Sequence, residues 1–339
     1  MTIHVAVFGA GGWGKNLVRV FSRLDGCHLA VVCDLDPGVR AGLAKQYPGL
    51  VVSAEPEAVL ADPRIDAVVV AVDAPSHFEL ARAALRRKKH VFVEKPLTLS
   101  PASSAELCEL ARASDVRLMV GHLLLYHPAL RVVGDLVARG ALGRLLYVHA
   151  QRLNMGIVRA DENVWWSLAA HDVAVATWLF GAEPVRVSAT SATYLQEGVE
   201  DVVFAAMHFA DGRIAHVHVS WIEPHKVRKL TLVGSRAMLV FDDTIADEKV
   251  RIYEKSDGAR PGYASYEEGV AVRSGDITIP RIVMQEPLLL ECMEFRDAIL
   301  EGRAPRTPGE HGLSVVRVLA AGQASLRAGG APVTVAEAP

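Results

Sequence analysis

The stretch that most constrains this chain is its start, where an apolar run from Ile3 to Phe8 empties into Gly9, Gly11 and Gly14. It reads as a buried strand feeding a glycine-rich turn. In the spacing Gly-x-Gly-x-x-Gly the first glycine permits a tight turn, the second lets a ligand reach the backbone with no Cβ in the way, and the third lets the next helix lie close to the strand. Gly12 and Trp13 complete the turn, and a helical pattern (Leu17, Val18, Val20, Phe21, Leu24) follows. A second apolar strand, Leu29 to Cys33, then stops at Asp34. Amides at a helix start face an anion, and an acid about twenty residues beyond the last glycine accepts the ribose hydroxyls of a dinucleotide. These residues together predict a dinucleotide site. NAD is favoured over NADP, because Asp34 repels a 2′-phosphate and no arginine follows it directly.

The alternation of helix and strand continues. Pro37 to Tyr47 is helical, Val51 and Val52 form a short strand, and Ala67 to Val72 is apolar throughout, as in a parallel sheet covered on both faces. The Asp73-Ala74-Pro75-Ser76-His77 turn leads into a helix, and the strand His90 to Val93 ends at Glu94-Lys95-Pro96. A helix (Leu107 to Ala113) and a strand (Leu118 to Val120) follow, so the first half predicts an α/β, doubly wound parallel sheet with ligands at the carboxyl ends of its strands.

Beyond residue 121 the character changes. Helical patterns at 128–139 and 164–180 flank a strand at 145–152 and an irregular polar segment, and from Val185 to Tyr253 the chain is strand-rich, with a hairpin signal at Asp211-Gly212. The antiparallel meander is the natural arrangement. Residues 254–280, rich in glycine, serine and charge, read as a surface excursion or lid, and helices at 287–301 and 309–326 close the chain. The expected division is 1–121, a dinucleotide-binding domain; 122–330, a substrate domain whose last helix can pack back towards the first; and 331–339, a loose tail.

With 339 residues, 51% of them hydrophobic and 22% charged, the chain has material for two soluble domains. A formal net charge of −3 gives no electrostatic reason for nucleic acid or an anionic membrane as partner. The basic run Arg86 to Lys89 reads as a solvated helix end. Cys27, Cys33, Cys108 and Cys292 lack paired spacing, so neither a zinc cluster nor a disulfide framework is expected. Reduced thiols, no membrane-length apolar run and a first strand that starts at once lead to the expectation of a soluble, cytoplasmic protein without a bound metal.

The turn Gly9-Ala10-Gly11-Gly12-Trp13-Gly14, the Pro75-Ser76-His77 turn, Glu94-Lys95-Pro96, Gly121-His122 and His171-Asp172 together resemble the Gfo/Idh/MocA family of nicotinamide-dependent oxidoreductases. That resemblance implies a Rossmann domain, a C-terminal α+β domain on a large, open, mostly antiparallel sheet, and hydride transfer at a carbinol carbon of a sugar, inositol or related polyol. It assigns Lys95 and His171 to catalysis: Lys95 contacts the reacting hydroxyl and His171 donates or accepts its proton. Cofactor contacts are implied for Gly9, Gly11, Gly12, Trp13, Gly14, Asp34, Asp73, Pro75, His77, Glu94 and Lys95. His122, Tyr126, Arg152, Asn154, Arg159 and Asn163 fall, with Lys95 and His171, where substrate contacts lie. Members commonly hold the bond before this proline in the cis form.

Two departures from the family pattern matter. Ser167 stands four residues before His171, where many members have an aspartate, and Val72-Asp73 replaces the usual Thr-Pro. Arg159, Asn163 and the Trp165-Trp166 pair resemble the branch acting on hexose derivatives and nucleotide sugars, which favours a sugar over an inositol. The remaining alternatives are an inositol or polyol dehydrogenase, an enzyme whose tightly held NAD serves a redox-assisted elimination or glycoside cleavage, and a catalytically silent NAD-binding sensor. His216, His218 and Ser220 alternate with Val217, Val219 and Trp221, so one strand face is wet yet scarcely charged, as an isologous interface would be. A homodimer or homotetramer through the C-terminal sheet is expected.

Overall fold

The computed structural model describes residues 2–156, 158, 162–256 and 273–337, arranged as two compact units. The first unit contains residues 1–127, 285–321 and 336–339. Six parallel strands form its sheet: β1 (Ile3–Phe8), β2 (Cys27–Cys33), β3 (Val51–Ser53), β4 (Ala67–Val70), β5 (His90–Glu94) and β6 (Leu118–Gly121). Their order is β3-β2-β1-β4-β5-β6. The order reverses between β1 and β4, and at that switch point the crossover helices leave on opposite faces and open a crevice at the carboxyl ends.

Every residue of β4 is buried, as its unbroken Ala67-Val68-Val69-Val70 run demands of a strand covered on both sides. Helices α1 (Gly14–Phe21), α2 (Pro37–Gln46), α3 (Pro56–Ala61), α4 (Ala74–Arg86) and α5 (Pro101–Ala113) make the crossovers.

The second unit contains residues 128–284 and 322–335. After α6 (Pro128–Ala138) comes β7 (Leu145–Met155), then a π-helical turn, Trp165–Ala169, that runs into α7 (Ala170–Phe180). The strands that follow are β8 (Arg186–Ala192), β9 (Val202–His208), β10 (Ile214–Ser220), β11 (Ile222–Gly234), β12 (Ala237–Asp242), β13 (Val250–Ser256), β14 (Arg273–Thr278) and β15 (Val333–Thr334). Their sheet has the order β14-β13-β12-β11-β7-β10-β9-β8-β15. It is mixed: β10 pairs with β7 in parallel and the other pairs are antiparallel. The meander expected from the hairpin signal is therefore interrupted, because β7, formed before α7, is inserted between two later strands.

The division differs from the sequence expectation at the C-terminal end. Helix α8 (Pro287–Leu300) belongs to the first unit, where Leu288, Cys292 and Phe295 join the core beneath β1 and β5; Phe295 meets Phe92 edge-on at 5.7 Å between ring centroids. Helix α9 (Gly309–Arg327) begins in the first unit and ends in the second. Part of the expected loose tail is strand β15, whose Val333 pairs with Val187 of β8. The expected lid overlaps residues 257–272, which lie outside the described residues, while 273–278 form β14. All four cysteines are free, and no helix among the described residues is long and apolar enough to cross a membrane.

The core of the first unit holds one anomaly. Glu291 of α8 is fully buried, and neither carboxyl oxygen has a hydrogen-bond partner among the described residues. Burial first, and the charge of Glu94 second, push its carboxyl well above the usual range; burial likewise raises Glu94 to about 7. Both shifts favour the protonated carboxyls, so the stability they contribute is complete below the unfolded value near 4.5 and falls as pH rises above it, for Glu94 through about 7. Glu291→Met removes an unpaired buried polar group at similar shape. It should raise the melting temperature at pH 8 by roughly 2–6 °C, with a smaller gain at pH 5, in thermal unfolding followed by circular dichroism across that range.

Candidate active site

The glycine-rich turn is shaped by close contacts on one side and open space on the other. Gly9 has φ +84°, and a Cβ there would sit 2.6 Å from the carbonyl oxygen of Ala71. A Cβ on Gly14 would overlap the Gly9 carbonyl, whereas one on Gly11 or Gly12 would meet nothing within 4 Å. That open side is the approach a pyrophosphate needs. No side chain caps α1, which leaves its first amides to an anion.

Asp34, at the end of β2, accepts the Ala10 N–H at 2.7 Å on Oδ2 and the Asp36 N–H at 2.9 Å on Oδ1. Each oxygen keeps further acceptor capacity for a ribose hydroxyl. The residues present fit a dinucleotide. Sequence reasoning missed Arg40, which reaches back from α2 to donate from Nη1 to the Asp34 carbonyl at 2.8 Å. Its position one turn after the N-cap Asp36 was the available signal.

At the carboxyl end of β5, Glu94 fixes the neighbourhood of Lys95. The indole N–H of Trp13 donates to Glu94 Oε1 at 2.6 Å, and the Lys95 N–H donates to Oε2 at 3.2 Å. A Cβ on Gly121 would lie 3.0 Å from this carboxyl, so the glycine of Gly121-His122 makes room for it. Glu94 therefore ties the glycine-rich turn to β5 and β6. The Lys95–Pro96 bond is cis, as the resemblance implies. Asp73 and Pro75 are exposed at the start of α4, where Ser76 Oγ donates to Asp73.

Several implied contacts are committed elsewhere. His77 is buried with Nδ1 2.8 Å from the Pro96 carbonyl and Nε2 3.1 Å from that of Val72, and whichever nitrogen carries the proton donates to its carbonyl and braces the turn. Tyr126 lies in the core, its hydroxyl 2.8 Å from Thr307 Oγ1. His122 is buried as well, edge-on to His311 at 5.1 Å, with neither ring nitrogen hydrogen-bonded among the described residues. Burial, then His311 and Lys95, hold it neutral.

In the second unit, Arg152 on β7 forms a buried bidentate pair with Asp172, Nε to Oδ2 at 2.7 Å and Nη2 to Oδ1 at 3.0 Å. Arg152 is thus held by the residue next to His171, and Asp172 gives both oxygens to it. Asn163 is spent too: Nδ2 donates to Glu200 and Gln323, both at 2.7 Å, and Oδ1 accepts the Trp166 N–H at 3.1 Å. It anchors the π turn. Ser167 is buried inside that turn, so the four residues from Ser167 to His171 do not form the simple α turn that their spacing suggests. Arg159 lies outside the described residues.

Asn154 and Arg228 are different. Asn154 Oδ1 and Arg228 Nη1 are buried with no hydrogen-bond partner among the described residues, and Arg228 is the Cα partner of Arg152 across the β11–β7 ladder. Sequence reasoning missed Arg228; the alternation Arg228-Leu230-Leu232 places it on the covered face of the sheet.

Comparison with known proteins agrees with this geometry. Residues 3–122 match a model described as an oxidoreductase family with an NAD-binding Rossmann fold, and residues 130–240 match the GFO/IDH/MocA C-terminal domain. The chain is 30% identical to inositol 2-dehydrogenase 2 of Saccharopolyspora erythraea over 65% of its own length and 67% of that protein's. It spans two thirds or less of the length of several inositol dehydrogenases that it matches. UDP-N-acetylglucosamine 3-dehydrogenase of Acidithiobacillus ferrooxidans is 27% identical, with 94% of this chain and 95% of that one covered. The structure of GenD2 from gentamicin A biosynthesis, in complex with NAD, superposes with a TM-score of 0.82 at 26% identity, covering 98% of this chain and 96% of that one. On its motifs, its fold and these matches, the chain belongs to the Gfo/Idh/MocA family of NAD-binding oxidoreductases.

Proposed function

We propose that the protein is an NAD-dependent dehydrogenase that moves a hydride between the nicotinamide and a secondary carbinol carbon of a sugar or nucleotide sugar. The observation that carries this reading is the end of β5, where Lys95 follows Glu94, whose carboxyl accepts from both the glycine-rich turn and the Lys95 amide. When bound, the dinucleotide supplies the acceptor for the hydride. Lys95 then handles the proton of the hydroxyl as its C–H bond breaks and the carbonyl forms, and its cation stabilises charge on the oxygen in the reverse direction. His171 is the second proton-handling group, supported from its neighbour by the Arg152–Asp172 pair. A sugar nucleotide is favoured over an inositol because the match to the UDP-N-acetylglucosamine dehydrogenase runs along 94% of the chain, against 65% for the inositol enzyme. Four free thiols suit a cytoplasmic setting.

The open face of the second sheet supports association with further copies. His149 lies beside His216 at 5.2 Å, His218 stacks on Phe204 at 4.1 Å, and Tyr147 and Phe204 are 46% and 45% exposed. No metal-binding group of three or more ligands occurs among the described residues. Light scattering at micromolar protein should give a dimer or tetramer; a monomer would exclude this interface.

Lys95→Ala should lower kcat and kcat/KM together by roughly a hundredfold or more, with NAD affinity nearly unchanged. Turnover near the wild-type rate on a responsive sugar would overturn the assignment. Wild-type enzyme should prefer NAD to NADP by about tenfold or more, since Asp34 faces the 2′ position. Asp34→Ser should narrow that gap, with Arg40 then supplying a cation for the 2′-phosphate; steady-state kinetics with both cofactors reads it directly.

A further inference from the structure

On the covered face of the second sheet, two orphaned polar atoms lie at one end of β7. Arg152, Asn154 and the Cα partner Arg228 share that face by strand alternation and register. The pairing of β7 with β11 jumps there from Leu153↔Val227 to Met155↔Ile222, so Asn154 falls where the ladder opens. Bulges of this kind re-aim side chains next to functional sites.

Charge adds a direction. Arg152 and Arg228 stand together, and the acids that act on Arg228 are Asp172, bound bidentately to Arg152, and Asp243, which also pairs with Lys249 at 3.1 Å. Among these described residues three cations face two carboxylates. Burial, with Arg152 next, lowers Arg228 to about 10, which still leaves it cationic at neutral pH. A buried donor and a buried acceptor without partners each carry a desolvation cost that an incoming ligand can relieve.

We propose that Arg228 and Asn154 form an anion subsite beside His171, which selects a sugar carrying a carboxylate or phosphoryl group next to a hydroxyl. Arg228 donates to the acidic group through Nη1, and Asn154 Oδ1 accepts from the adjacent hydroxyl. Arg152 and Asp172 hold the platform. The proposal rests on the sugar dehydrogenase reading for its occupant, but not for the existence of the site.

The test is calorimetric titration of the enzyme saturated with NADH, using glucuronate, glucose 6-phosphate and glucose as probes. At least one acid should bind about tenfold or more tightly than glucose, since a charge-assisted hydrogen bond contributes on that scale. Whichever acid binds better identifies the carboxylate or the phosphoryl group. Arg228→Gln should abolish the preference while leaving glucose affinity within about twofold, and Arg228→Lys should keep much of it. If Arg228→Gln does not fold, Asn154→Asp serves instead: a carboxylate in the opening should weaken both acids about tenfold more than it weakens glucose. Equal binding of all three probes by the wild type, or equal loss of all three in the variants, would overturn the subsite. If the acid preference and its loss stand while no sugar yields NADH, the subsite survives and the dehydrogenase reading fails.

Discussion

The close approach of three backbone segments at the first turn governs the nucleotide-binding unit. Gly14 packs on the Gly9 carbonyl, and Gly9, at positive φ, packs on Ala71 beyond the end of β4. Only hydrogen fits at Gly9 and Gly14. The turn is closed on that side and open at Gly11 and Gly12, and no side chain caps the helix that follows. Trp13 then reaches from the turn to Glu94, and Glu94 holds the Lys95 amide. The placement of the lysine is therefore inherited from a steric requirement at two glycines.

The second unit solves a different problem, that of keeping charge inside a sheet–helix layer. Its bidentate Arg152–Asp172 pair satisfies four polar atoms at once. Removing one partner would strand a buried charge at a cost of about 3–5 kcal/mol, although the intact pair contributes much less than that. Asp201 shows the same logic in another form, accepting the Trp221 indole N–H and the backbone amides of Tyr194 and Leu195.

The parallel sheet was legible from sequence because period, glycine spacing and terminal acids all report short-range physics. Ile3 to Phe8, Ala67 to Val70 and Asp34 sit where their local pattern places them. The partners of long side chains were not legible. Arg152, Asn163 and Tyr126 are polar residues near a family's substrate positions, yet Asp172, Glu200 with Gln323, and Thr307 claim them, and these partnerships span 20 to 181 residues. The insertion of β7 between β10 and β11 was hidden for the same reason, since strand order is set by packing far from the residues concerned. Nor could spacing reveal that Ser167 lies inside a π turn that runs into α7.

The central place of β7 carries a constraint on how this protein can change. Its alternate residues serve two surfaces: Arg152 and Asn154 point to the helix-covered side, while Tyr147, His149 and Gln151 belong to the open side. The side-chain period of a strand is two, so inserting or deleting a single residue in β7 would exchange the two surfaces at a stroke. Point substitutions leave that frame intact. Variation in ligand choice and in surface character on this strand must therefore accumulate one residue at a time, with the length of β7 held fixed.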